Sequence, residues 1–284
     1  MKLQNKLQIF SAILGIGIFL TSCQKTGADV VSQETQQDQL TTTAIETETE
    51  VDNVTDDVTV MVDQTYNNEE FANKSAVSPG DRYLPDCATI TRVVTDTTKD
   101  ITIDFGDSCV LRSGNTVSGK ILIHYAIDKV ALTKLVEVSF DNFFNNSRKI
   151  EGSFSILKER QNQNGNPQST NTFNITVTWP DNSFATKEGT KTRELIEGGD
   201  TFTWGDDVFE ITGHWNFTRK DGTIHVATIT TPLRRELSCR FIVSGVIALQ
   251  KDDQAAVLDF GDGTCDDLAL LTKNGETTEI HLRK

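Results

Sequence analysis

The chain has 284 residues, with 27 Lys and Arg against 41 Asp and Glu, a formal net charge of −14, five cysteines and 37% hydrophobic residues. An acidic chain without a basic stripe excludes nucleic acid and anionic lipid headgroups as partners recognised by charge. The length suits one domain of ordinary size with additional segments.

At the N-terminus, Met1 to Lys6 forms a short positive stretch, and Ile9 to Leu20 is an apolar run broken only by Ser11, Gly15 and Gly17. A stable transmembrane helix needs about 20 apolar residues, so this run has the length of a secretory signal core rather than a span. It ends in Leu20-Thr21-Ser22-Cys23, which resembles the lipobox of bacterial lipoproteins. The resemblance implies removal of residues 1–22, acylation of Cys23, and an outer-membrane lipoprotein facing either the periplasm or the exterior. Each buried lipid methylene contributes about 0.8 kcal/mol, so two or three acyl chains amount to an essentially permanent anchor in membrane lipid.

Residues 23–80 read as an acidic tether. From Gln24 to Asp86 fourteen acidic residues face three basic ones, a net charge of −11. Gln24 to about Thr55 is rich in Thr, Gln, Glu and Asp without an aromatic residue, so on its own it cannot bury enough apolar surface to offset its ordering entropy. Within 58–72, Val58 to Tyr66 fits one short helix or strand laid on the domain, with neither period favoured.

Residues 81–284 read as one all-β domain. Four further cysteines, Cys87, Cys109, Cys239 and Cys265, are an even number in an exported chain, which points to disulfides. Ile101 to Cys109 aligns with Ala256 to Cys265 through a shared Asp-Phe-Gly-Asp, and each block follows a strand that starts at another cysteine. The chain thus carries one unit twice, at 87–109 and 239–265. If each is a hairpin, the midpoints Thr98 and Asp252 fall in polar turns. This favours Cys87 with Cys109 and Cys239 with Cys265, each closing a loop worth about 3–4 kcal/mol in the chain-entropy model. Crossed pairing between the two units is the alternative.

Between the units, strand vocabulary recurs at Lys120–Tyr125, Val136–Phe140, Gly152–Leu157, Phe173–Trp179, Val208–Phe217 and Ile224–Ile229, and after them at Thr278–Leu282. Apolar residues alternate with Thr, Ser and Asn as in antiparallel strands with one wet face. Asp181-Asn182, Asp221-Gly222 and Asn274-Gly275 mark turns, and Lys158 to Asn171 reads as an exposed loop. The expected fold is about a dozen strands in an antiparallel sandwich or one strongly curved antiparallel sheet, with disulfide-closed hairpins near both ends. The order Asp-Phe-Gly-Asp, Ser118-Gly119-Lys120-Ile121, Phe140-Asp141-Asn142-Phe143-Phe144, Thr228-Ile229-Thr230-Thr231-Pro232-Leu233 and Ser238-Cys239-Arg240-Phe241 resembles a family of Bacteroidota lipoproteins of unknown function, from about Cys87 to Arg283. The resemblance implies no activity.

Several motifs invite chemistry. Asp104-Phe105-Gly106 and Asp259-Phe260-Gly261 spell a kinase metal triplet without the other kinase motifs, so Phe105 and Phe260 are expected in the core with an exit turn after each. Gly114 to Lys120 has phosphate-loop spacing, but Ile121 stands where a hydroxyl is needed and a strand follows instead of a helix. Asp259, Asp262, Asp266 and Asp267 are candidate calcium ligands around two glycines, though turns use the same residues. His124, His214, His225 and His281 lack metal-ligand spacing and suit half-exposed sheet positions. Trp179, Trp204 and Trp215, with Phe173, Phe184 and Phe217, form either a platform for a sugar or peptide or part of the core, and the core is favoured. No nucleophile elbow, free thiol or cofactor motif is present. The expectation is a non-catalytic envelope lipoprotein with a binding, adhesion or structural role toward a glycan or an envelope protein. The alternatives are a carbohydrate-active enzyme or glycan-binding accessory protein, and a calcium-stabilised scaffold.

Overall fold

The computed structural model describes residues 40–71, 84–128, 130–201 and 203–282. The proposed signal segment, Cys23 and the first part of the tether lie outside the described residues. Among the described residues one α-helix, α1 (Thr42–Phe71), precedes fourteen strands. In chain order they are β1 (Thr89–Val94), β2 (Thr98–Asp104), β3 (Cys109–Val110), β4 (Thr116–Ala126), β5 (Thr133–Asn145), β6 (Arg148–Glu159) and β7 (Gln168–Thr178). They continue as β8 (Phe184–Glu197), β9 (Val208–Arg219), β10 (Ile224–Glu236), β11 (Ser244–Lys251), β12 (Gln254–Asp262), β13 (Leu268–Lys273) and β14 (Glu276–His281).

All pair antiparallel in one open sheet that runs in sequence order from β1 to β14, with β3 set aside as a short partner of β4. The sandwich alternative does not occur; the curved sheet does. The turn chemistry sets the meander: Asn182, Asn274, Gly222 and Gly275 adopt positive φ at the hairpin tips where their dipeptides stand, the backbone that these residue types tolerate best.

Both disulfides join the partners favoured by the hairpin argument, Cys87 to Cys109 and Cys239 to Cys265, so the crossed alternative is excluded. The duplicated unit repeats down to individual hydrogen bonds. Gly106 N donates to Asp104 Oδ1 and Gly261 N to Asp259 Oδ1, each at 2.9 Å, while Phe105 and Phe260 are buried. The triplet is an Asx turn that ends β2 and stands in the last residues of β12. The Ser-Gly-Lys motif has a structural use as well: a Cβ on Gly119 would lie 1.9 Å from the carbonyl oxygen of Asn142. Asn142 occupies the bulge by which β5 shifts register between Val138 and Phe143, and only glycine admits that approach.

Over the described residues 40–71 the tether reading is corrected by the helix, of which Val58 to Tyr66, expected as a short helix or strand, is one part. From Leu40 through Tyr66 most residues are buried, including Glu48, Asp52 and Asp57. The helix touches nearly the whole breadth of the sheet: Glu70 binds Lys134 on β5, Lys158 on β6 binds Asp63, Asn171 on β7 donates to Thr59, Trp215 on β9 donates to Glu48, and Lys273 on β13 donates to the Leu40 carbonyl. A sheet that reaches one helix from so many strands must curl around it. Nine of the thirty helix residues are acidic and none is basic. Most meet cations on the inner face: Asp52 binds both Lys187 and Lys191, Asp56 approaches Lys191, Glu50 binds Arg148, and Glu69 binds Arg92, while Asp57 accepts from Asn115 and Asn145.

The other polar residues of α1 are satisfied locally. Thr49, Thr55, Thr59 and Thr65 each donate to the carbonyl four residues earlier, which lets a hydroxyl be buried at little cost. Thr41 Oγ1 accepts from Ala44 N as an N-cap, satisfying one of the free donors of the first turn. Valines and threonines have low helix propensity, so enclosure by the sheet imposes the helix. Composition judged without its complement gave a solvated strand of chain; the complement lies about 100 residues downstream.

Two further readings are corrected for the same reason. The stretch Lys158 to Asn171 is not all loop, since β6 runs to Glu159 and β7 begins at Gln168, with Lys158 and Asn171 both turned toward α1. β8 has no counterpart in the sequence reading, because its inner face carries Lys187, Lys191 and Arg193 where a core strand would carry apolar residues.

Burial pulls the Lys187 and Lys191 ammonium groups below their usual range, Lys187 strongly so. Replacing Asp52 by Ala leaves two buried ammonium groups short of their main counter-charge, and is expected to cost about 3–5 kcal/mol, read as a lower urea midpoint at unchanged slope. Asp207, between the Trp204–Asp206 turn and β9, is pushed up to about 7 by burial and by neighbouring Asp206. Unfolded aspartate titrates near 3.9, so the folded state holds the proton longer. The stabilisation is therefore full below about pH 4 and lost as pH rises through about 7. In Asp207→Asn, melting temperatures measured at pH 5 and pH 8 should differ less than in the native protein.

Candidate functional site

The inner and outer faces of the same strands carry different chemistry. On β8, Lys187, Gly189 and Lys191 face α1, while Glu188 and Thr190 face outward; on β7, Asn171 and Phe173 face inward, while Thr172 and Asn174 face outward. Over β2, β4, β5, β6, β7 and β8 the outward face is hollowed into a groove of about 890 Å³.

Register fixes the direction of the groove. Ile101, Ile123, Val138, Phe154, Phe173 and Gly189 are paired neighbour to neighbour across the six strands and lie beneath it. Their side chains point to the helix, so the floor is their backbone. One wall is the adjoining row of outward residues, Asp100, His124, Glu137, Ser155, Thr172 and Thr190. The other wall comprises Thr102, Leu122, Ser139, Ser153, Asn174 and Glu188. With strands about 4.8 Å apart, the groove crosses them at right angles for about 24 Å.

Close strand approaches occur at Gly189, beneath the β8 end, and at Gly152 on β6. A Cβ on Gly189 would meet the backbone of His214 and Trp215 at 2.4–2.5 Å, and one on Gly152 would lie 2.2 Å from the Asn174 carbonyl oxygen. Both strands draw in where a side chain is missing.

His124 Nδ1 lies 2.7 Å from Asp100 Oδ1 in the exposed wall. Glu137 is the next residue in that row, so the imidazole stands between two carboxylates. Among the described residues no hydroxyl hydrogen-bonds the ring, and no Lys or Arg lines the groove. The walls offer hydroxyls, an amide and carboxylates, groups that hold a polar ligand by hydrogen bonds.

The residues singled out from sequence are scattered. Trp215, Phe173 and Phe217 are buried in the core, Trp179 packs against it, and Phe184 is exposed, so the aromatics do not gather into a platform. Trp204 opens a short 3-10 turn, Trp204–Asp206.

The candidate calcium ligands are each occupied in local structure. Asp259 accepts from Gly261, Asp262 from Thr264, Asp266 from Leu268, and Asp267 lies 3.1 Å from His281. Among the described residues no three His, Cys, Asp or Glu side chains cluster as a metal site. Thr264 holds the Asp262 carboxyl below its usual range.

His124, His214 and His281 are on exposed sheet positions, but His225 is not. It is fully buried, 3.5 Å from Glu48 Oε2, because its strand position faces α1. Glu48 Oε1 accepts from Trp215 Nε1 at 2.9 Å, and the Trp215 ring carries Lys187 and Lys191 at 4.4 and 4.9 Å from its centroid. The sequence held no signal for the groove. Its walls are ordinary outward strand positions, and only the pairing register brings them side by side.

Comparison with known protein families, curated proteins and solved structures finds no match. The residues of the chain itself therefore carry the functional reading. Trp215→Phe should lower stability by about 2–3 kcal/mol in urea titration through loss of the donor to buried Glu48, while the outward face keeps its shape.

Proposed function

We propose that the protein is a lipid-anchored, non-catalytic component of the cell envelope, held by acylated Cys23, that binds an envelope or surface partner in the outward groove. The observation that carries this reading is the groove: a trough across six strands with hydroxyl, carboxamide and carboxylate groups along its walls, on a face that the enclosed helix leaves free. The lipobox-like Leu20 to Cys23 supports the anchor. The two disulfides suit an oxidising compartment.

The groove favours binding over turnover. Its one His–Asp pair is exposed, and Asp100 and Glu137 stand on one wall while Glu188 stands on the other at the β8 end, so among the described residues no two carboxylates face each other across it. A glycosidase instead sets two carboxyl groups about 5–9 Å apart across the scissile bond. The uncharged Ser, Thr and Asn side chains along the middle of the walls favour a glycan over a charged partner.

Two measurements test the proposal. Cys23→Ser should move the protein from membrane to soluble fractions and remove fatty-acid labelling. Filling the groove by Ser153→Trp should weaken binding of the protein to isolated envelopes about tenfold or more at unchanged melting temperature. Equal binding by the filled variant, or glycan turnover lost in Asp100→Asn, overturns the reading.

A further inference from the structure

The groove has a direction, a spacing and a charge pattern, and together these specify a class of ligand. We infer that it takes a neutral polysaccharide in extended form, lying across the strands with about one sugar ring per strand. This rests on the groove being the binding face.

Spacing comes first. Ligands that add to a sheet as a strand run parallel to its strands and need a free edge. Here the trough crosses six interior strands at right angles, and each presents one side chain to each wall about every 4.8 Å. That interval is close to the length of one pyranose in an extended glycan chain. An extended peptide advances by about 3.3 Å per residue, so its side chains fall out of step with the rows within a few residues.

Charge narrows the class. At one end His124 is flanked by Asp100 and Glu137, and Glu188 lies toward the other. Between them Ser139, Ser153, Ser155, Thr172 and Asn174 carry no charge and line the groove directly. With carboxylates at both ends and no Lys or Arg among the described wall residues, uronates, sulfated chains and phosphates are repelled. The uncharged middle gives a polycation little to bind along most of the length. Hydroxyls and a carboxamide both donate and accept, as sugar hydroxyls do.

The absence of aromatic rings from the walls sets the mode of binding. Without stacking, no single subsite dominates. Affinity accrues from hydrogen bonds that each contribute little net free energy, so every added sugar should tighten binding about two- to tenfold until the trough is full.

The test uses the full-length acylated protein in detergent, titrated with cello-, xylo- and manno-oligosaccharides of two to eight residues. Oligogalacturonates, chitosan oligomers and oligolysine serve as charged comparators. The expected result is saturable binding of at least one neutral series, with affinity rising to about six residues and then levelling. Ser153→Trp and Asn174→Trp should each reduce it at least tenfold, and Thr277→Trp, on β14 far from the groove, should not.

Failure to bind any neutral series, preference for a uronate or polycation, affinity already level at two residues, or indifference to both groove variants would overturn the inference. If neutral glycans fail while Ser153→Trp still abolishes envelope binding, the groove remains the binding face and only the ligand class is wrong. If both fail, the binding reading falls as well.

Discussion

Everything in this molecule depends on the neutralisation of one acidic helix by the inner face of the sheet around it. Charges removed from water are costly unless paired and hydrogen-bonded. Here the pairing is distributed: Glu48, Glu50, Asp52, Asp63, Glu69 and Glu70 each meet a cation or an imidazole from a different part of the sheet. A sheet of fourteen strands has no closed barrel to define its curvature. The helix supplies that definition, because each ion pair fixes the distance from one strand to a common axis.

The two faces are thereby coupled. Phe173 lies under the groove and its ring is 5.0 Å from the Lys187 ammonium that binds Asp52. Thr172 and Asn174, one residue to either side, form part of the two walls. The outward hydroxyl rows hold their register because the inward residues between them are locked to the helix. A rigid array of weakly binding groups loses little entropy when a ligand settles along it, which is the condition under which many small contacts sum to useful affinity.

Much of the sheet was legible in the sequence. β4, β9 and β10 announce themselves by alternation, and the duplicated cysteine unit made the disulfide pairing readable from the position of polar midpoints. What escaped notice was set by contacts between distant residues. β8 reads as polar because Lys187, Lys191 and Arg193 are core residues only in the presence of Asp52, Asp56 and Asp63. The helix itself reads as tether for the mirror-image reason, and His225 as half-exposed because nothing in its own strand shows that Glu48 will lie against it. The groove was invisible for a different cause: Ser153 and Asn174 are unremarkable alone, and only strand register makes them neighbours.

The position of the helix in the chain has a consequence for how the protein comes to be folded. Leu40, just before it, is held by Gln254 and Lys273, residues more than two hundred positions later. An isolated segment of nine like charges with many β-branched residues has little tendency to be helical. The first of the described elements in chain order is thus among the last able to settle, and the loop that must close to settle it is nearly the whole domain. Such long-range closure makes folding slow. Until β12 and β13 have emerged, the contacts that hold the start of the helix region cannot form.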